Sequence, residues 1–244
     1  PRLTSWARQL VVGFPTRGLA DPLGRALYPA FVRYNAQPGR AFEAFRVATV
    51  FLAAFAVPMA FFLFVNAELV SLVLGGREWL GAADYLRILS LVPLVRPLSM
   101  FGLELLLTRH MDRLLIVYTM LNMVSLGGLG LVLTQTELGA NGMAVAGYFP
   151  VGILVLAWGI HRLSRDGFRR LLGELLRLDL VSALLFVPIV FVVPPMAVVP
   201  RAALSIAAGL LAVGYAWHRF GDDWRDFVRE DLAAVVDTDS PIDA

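Results

Sequence analysis

Hydrophobic residues in this chain do not alternate with polar ones. They run together in long blocks. A bilayer core of about 30 Å needs roughly 20 apolar residues as a helix, and six blocks approach that length: 47–65, 88–107, 114–134, 142–160, 178–199 and 202–217. A seventh block, 11–31, carries Arg17, Asp21 and Arg25 and is predicted to be a span packed among other helices rather than against lipid. The predicted fold class is therefore an all-α polytopic membrane protein with about seven transmembrane helices. Between the fifth and sixth spans, HRLSRDGFRRLLGELLRL places Phe168, Leu171, Leu172, Leu175 and Leu176 on one helical face and Arg165, Arg169, Arg170 and Arg177 on the other. Glu174 is spaced to pair with Arg170. This segment predicts either an amphipathic helix on the membrane surface or an extension of the preceding span. From Gly221 the hydrophobic periodicity fades, which predicts a disordered acidic tail.

Composition agrees with the blocks. The 244 residues are 58% hydrophobic and only 16% charged, with a mean hydropathy of +0.71, whereas a soluble domain is about a quarter charged. Cysteine is absent, so disulfides, thiolate metal sites and cysteine nucleophiles are excluded. The histidines, His110, His161 and His218, fall outside the apolar cores, which argues against a histidine metal site or a buried histidine base. There is no phosphate-binding glycine loop and no dinucleotide fingerprint. No cofactor and no nucleic acid partner is expected.

Charge orients the spans. All 21 basic residues are arginine. Thirteen of them fall in the stretches 33–46, 109–113, 162–177 and 219–229, which alternate topology puts on one side; only Arg2, Arg8, Arg77, Arg87 and Arg201 fall on the other. The positive-inside rule makes the arginine-rich side cytoplasmic, with the N-terminus outside and the C-terminus inside. An outside start, with no initiating Met, predicts a chain preceded by further helices. The net charge of +2 divides unevenly, because residues 221–244 hold eight acids against two arginines.

Ionisable groups inside spans carry the candidate chemistry. A central Arg costs about 2.5–3.5 kcal/mol on insertion scales. Arg17, Asp21 and Arg25 are spaced i, i+4, i+8 on one face of the first span. In the third span Arg96 stands near mid-depth between Pro93 and Pro97, and Glu104 lies roughly 12 Å further along. Arg96 and Glu104 point about 80° apart around the helix and make a poor pair with each other. Pro58, Pro150 and Pro188 repeat the helix-breaking theme in other spans. Broken helices and charges near the midplane are how transporters build substrate sites. The functional expectation is a hydrated cationic cavity for an anionic ligand, with Arg96, Arg25 and Arg17 as substrate-binding residues suited to phosphate or pyrophosphate. Asp21 and Glu104 are the candidates for ion or proton coupling. The structural alternative is a network in which Arg96 pairs with Asp21 or Glu104 and only fixes packing. Gly127, Gly128 and Gly130, with Gly142 and Ala146, predict close helix packing. In LVLGGREWLGA, Gly75 and Gly76 predict a helix end and Trp79 an interfacial anchor.

A family resemblance adds to this. DPLGRALYPAF (21–31), RYNAQPGRAFEAFR (33–46), the span with FAVPMAF, ELVSLVLGGREWLGAADYLRILSLVPLVRPLSMFG (68–102) and ELGANGMAVAGYF (137–149) resemble, in order and spacing, the second half of a Wzx-like polysaccharide flippase of the multidrug/oligosaccharidyl-lipid/polysaccharide exporter superfamily. The resemblance covers about residues 10–162. It implies two bundles of six helices, some members adding two more, with this chain as the C-terminal bundle and its missing N-terminal half as a partner. The implied layout is a transporter bundle over 1–162, the basic segment 163–177, two additional spans over 178–217 and an acidic cytoplasmic tail over 218–244. Arg25 and Arg96 match arginines of the family pattern. The resemblance implies translocation of polyprenyl-pyrophosphate-linked oligosaccharide across the cytoplasmic membrane by alternating access, working with membrane lipids and with glycan polymerisation or transferase machinery, and no enzyme chemistry. The competing readings are a cation-coupled drug or metabolite antiporter, a membrane-embedded polysaccharide polymerase or ligase, and a fragment inactive without its other half.

Overall fold

A computed structural model describes residues 31–32, 34, 37–136, 152–193 and 198–236, with side chains followed only to residue 229 in the last stretch. Among the described residues all regular structure is helical. Eight helices can be numbered in order. They are α1 Pro38–Val65, α2 Ala67–Gly75, α3 Ala83–Ser90, α4 Val92–Thr108, α5 Asp112–Thr134, α6 Gly152–Leu163, α7 Arg165–Val192 and α8 Val198–Val236. A short 3-10 turn, Arg77–Ala82, leads into α3, and a π turn, Ser125–Leu129, interrupts α5.

Four helices, α1, α5, α7 and α8, are long and apolar enough to cross a membrane, and the bent pair formed by Arg77–Ser90 and α4 makes a fifth. Seven spans were expected. Residues 11–30 of the predicted span 11–31 and residues 142–151 of the predicted span 142–160 lie outside the described residues.

The architecture is a bundle around α1. Two-thirds of the apolar window of α1 is buried, against 28% for α7, 17% for α8 and 11% for α5. α1 packs along α4, α7 and α8, and its face of small and aromatic residues (Ala41, Phe45, Ala48, Ala53, Val57) is closed to solvent. Small side chains let helix axes approach where no water is present to drive them together. α5 is nearly bare, with Ile116, Met120, Met123, Val124, Leu131 and Val132 all more than half exposed. Such a surface is at home against lipid or another bundle.

Several boundaries differ from the periodicity. α1 starts at Pro38, not 47: Gln37 stands at the N-cap position and Pro38 occupies the first turn, where a missing N–H costs nothing. Arg40, Glu43 and Arg46, read from sequence as loop, are thus helical. The predicted span 88–107 is split: α3 ends at Ser90, α4 begins at Val92, and the two axes bend by 43°. Pro93, in the first turn of α4, removes the donor that would have continued α3. The other described prolines do not break their helices: α1 runs through Pro58, α4 through Pro97 and α7 through Pro188. Inside a bundle, neighbouring helices re-satisfy what a proline frees.

The basic segment 163–177 is neither a separate surface helix nor an extension of the preceding span. Ser164 caps a new helix, accepting a hydrogen bond from the Gly167 N–H at 3.2 Å, and that helix continues unbroken through the apolar run to Val192. The acidic tail is helical as far as Val236. At about 1.5 Å per residue the 39 residues of α8 extend about 58 Å, well beyond a bilayer core.

Glycines set the closest approaches. A Cβ on Gly75 would lie 2.1 Å from the Trp79 ring, so the aromatic anchor folds back onto the helix end it follows, and Gly76 supplies the φ of +72° that turns the chain there. Gly152 starts α6 against α5, where a Cβ would meet the Tyr118 carbonyl oxygen at 2.8 Å and Asn122 Oδ1 at 2.6 Å. Among the described residues nothing packs on Gly127 and Gly128: a Cβ there would meet none of them within 4 Å. Gly142 and Ala146, their proposed counterparts, lie outside the described residues.

Gly152→Ala is expected to push α6 off α5 and lower stability by about 1–3 kcal/mol. Gly214→Ala, in a helical position with nothing within 4 Å, is expected to be neutral or to stabilise by up to about 1 kcal/mol. Thermal melting of both variants in the same detergent checks the difference; equal melting temperatures would contradict the α5–α6 contact.

Candidate functional site

Two groups of ionisable residues stand out, one expected from sequence and one not. The expected group centres on α4. Arg96 lies one turn past the break at Leu91, and its side chain is exposed. Its backbone carbonyl accepts from the Ser99 hydroxyl at 3.0 Å, but the guanidinium has no carboxylate partner among the described residues. Glu104, two turns on, is half-buried, and its Oε2 is shut off from solvent without a hydrogen-bond partner among the described residues. Arg96 and Glu104 are therefore not brought together, as their angular separation on one helix implied. Arg17, Asp21 and Arg25 lie outside the described residues, so the stripe expected to face Arg96 is not part of this geometry.

A further acid belongs with Glu104. Asp179 is half-buried, and its Oδ1 also lacks a partner among the described residues. Periodicity put Asp179 at the very end of a span. The structure puts it midway along α7, because that helix begins at Arg165. An unpartnered buried carboxylate oxygen is costly in apolar surroundings, so each of these acids is a place where a proton or cation can be held.

The unexpected group lies at the end of the bundle where α1 and α7 begin and the polar part of α8 emerges. Arg46, on α1, is only 1% exposed. Its Nη1 donates to Glu174 Oε1 and Oε2 at 2.8 and 2.7 Å, its Nε donates to both oxygens of Glu43 at 3.0 Å, and its Nη2 donates to Asp223 Oδ2 at 2.7 Å and to Glu43. Arg170 closes the outer side, with Nε 3.2 Å from Glu174 Oε1, as the sequence spacing suggested, and Nη2 3.7 Å from Asp223 Oδ2. Two cations and three carboxylates thus knot α1, α7 and α8 together. Glu174 is buried at 7% exposure. A buried pair of this kind is held by geometry: fork-shaped guanidinium donors meet carboxylate pairs in a plane.

The same contacts bring the arginine-rich stretches to one end. Arg109, after α4, donates to the Tyr34 carbonyl oxygen at 3.4 Å, beside the start of α1. Residues 34, 46, 109, 170, 174 and 223 therefore share an end of the bundle. At the far end Arg87 ties α3 to α2 through Glu68 and also holds Asp84, both at 2.6 Å.

Beside the Arg46 knot, α7 and α8 frame a cleft of about 290 Å³ lined by Arg169, Arg170, Arg177 and Arg219. On the other side of α8 a narrow apolar groove runs against α1, where Trp224 stacks on Phe51 with ring centroids 3.9 Å apart. Among the described residues no group of three or more His, Asp or Glu could hold a metal ion.

The profile of a family described as "Polysaccharide biosynthesis protein" matches residues 5–84, which include α1, α2 and the 3-10 turn. No curated protein matches the chain. No solved structure matches it either.

Removing the Arg46 charge is expected to strand Glu174 in the interior, so Arg46→Leu loses about 3–5 kcal/mol of stability. Adding Glu174→Leu to that variant is expected to recover a large part of the loss, because both desolvated charges then disappear. A double-mutant cycle read by thermal or denaturant unfolding checks this; strictly additive losses would mean the two groups do not interact.

Proposed function

We propose that this protein moves a polyprenyl-pyrophosphate-linked oligosaccharide across the cytoplasmic membrane by alternating access, as part of polysaccharide or glycan export. The observation that carries the reading is Arg96: an exposed guanidinium on a mostly apolar helix that also holds Glu104, one turn past a 43° break, with no carboxylate partner among the described residues. A charge so placed is too costly for decoration, and a broken helix that presents it matches the way transporters expose backbone and charge to substrate near the midplane. A pyrophosphate is the anion that a guanidinium fork binds in two-point fashion. The match of residues 5–84 to a polysaccharide biosynthesis family is consistent with a glycan-linked substrate.

In this reading Arg25 and Arg17 join Arg96 around the pyrophosphate, and no covalent chemistry occurs. The bare apolar face of α5 suits a second bundle across the cavity. The arginine-rich end of the bundle faces the cytoplasm, and glycan polymerisation or transferase machinery receives the product.

A second reading has its own observation. Glu104 and Asp179 each hold a buried oxygen without a partner among the described residues, which suits a cation- or proton-coupled antiporter of the same superfamily. The two readings separate by mutation. If pyrophosphate recognition is the function, Arg96→Ala abolishes surface polysaccharide and leaves lipid-linked intermediate on the inner leaflet, whereas Glu104→Gln lowers export only by weakening coupling. Polysaccharide at the wild-type level in Arg96→Ala cells, measured with leaflet-resolved labelling of the intermediate, would remove Arg96 from the mechanism. Drug export lost in Glu104→Gln with polysaccharide intact would favour the antiporter.

A further inference from the structure

We propose that the cleft between α7 and α8 is a binding site for a phosphate-bearing group at the membrane surface, with an anionic phospholipid headgroup as its occupant. The site is separate from Arg96 and does not depend on the translocation reading.

Its charge is unbalanced. Four arginines line it: Arg169, Arg170 and Arg177 from α7 and Arg219 from α8. The acids in its wall, Glu174 and Asp223, are engaged from behind by the buried Arg46 at 2.7 Å each. Of the four arginines only Arg170 reaches them, at 3.2 and 3.7 Å. Arg169, Arg177 and Arg219 have no carboxylate partner among the described residues and are exposed. Such a surplus of guanidinium forks around one opening calls for an oxyanion.

A glycine lines its floor. Gly173 sits in mid-helix, where glycine is otherwise unfavourable, and a Cβ there would meet nothing within 4 Å. Arg169 and Arg177 lie one turn to either side of it on the same face. With no side chain at Gly173, the space between them stays open. At about 290 Å³ the cleft is close to the lower end of small-ligand sites, roughly 300–1,000 Å³.

Its depth fits a headgroup. Arg177 directly precedes buried Leu178, where the apolar run of α7 begins, and Arg219 follows Trp217 at the end of the apolar run of α8. Trp marks the membrane–water interface, and basic pockets between helices at this level bind anionic headgroups. A free phosphate offers the same oxygens, so the test separates the two sources.

The purified chain is incubated in neutral detergent with phosphatidylglycerol or phosphatidylcholine of matched acyl chains, and retained lipid is counted by native mass spectrometry. The expected result is at least a tenfold preference for phosphatidylglycerol. Gly173→Leu, which fills open space, and Arg177→Gln/Arg219→Gln, which removes unpaired charges, each abolish that preference without lowering the melting temperature. Arg113→Gln, outside the cleft, keeps it. Preference that persists in millimolar inorganic phosphate assigns the membrane-bound headgroup; displacement by phosphate assigns the oxyanion alone, which supports the site but overturns its lipid occupant. Equal retention of the two lipids, or a preference that survives both cleft variants, overturns the proposal.

Discussion

A guanidinium cannot be taken out of water without several kcal/mol of desolvation unless its donors are met. Arg46 is taken out almost completely, and its donors are met by carboxylates from three helices, Glu43 beside it on α1, Glu174 on α7 and Asp223 on α8. Much of the bundle's geometry follows. The contact sets the height of α7 and α8 against α1, because a slide of one helical turn, about 5.4 Å, would strand the charge. It forces α8 to stay helical beyond its apolar run so that Asp223 can arrive. It also draws Glu174 inward and turns the neighbouring arginines outward, which leaves the basic cleft.

The opposite end is built on a lighter principle. Arg87 holds Glu68 and Asp84 near the surface, where exposed pairs contribute little. Rigidity there comes from backbone constraints: Gly76 at positive φ, Trp79 lying over Gly75, and the bend at Leu91 before Pro93. One end is thus pinned by desolvated charge and the other shaped by turns. That asymmetry suits a bundle in which a broken helix presents Arg96 while the α1–α7–α8 frame stays fixed.

Between the ends, two acids among the described residues are incompletely met. Glu104 and Asp179 keep oxygens without partners among the described residues, on helices that both pack on α1. An interior that satisfies Arg46 so fully yet leaves these acids unmet separates structural charge from charge available for function.

The sequence by itself determined what local physics determines. Runs of about 20 apolar residues must become helices in a bilayer, since no other open backbone is satisfied there, and arginines from three of the basic stretches, Arg46, Arg109 and Arg170, do meet at one end. The i, i+4 pair of Arg170 and Glu174 and the turn at Gly75–Gly76 were legible for the same reason. Tertiary structure alone decided which arginine is buried. Arg46 reads like any loop arginine, because its partners Glu174 and Asp223 lie 128 and 177 residues away, and no periodicity reports a contact at that range. It also decided that Pro93 breaks a helix while Pro58, Pro97 and Pro188 do not. A proline's ring is the same everywhere, and whether its freed carbonyl is met depends on the neighbours that packing supplies.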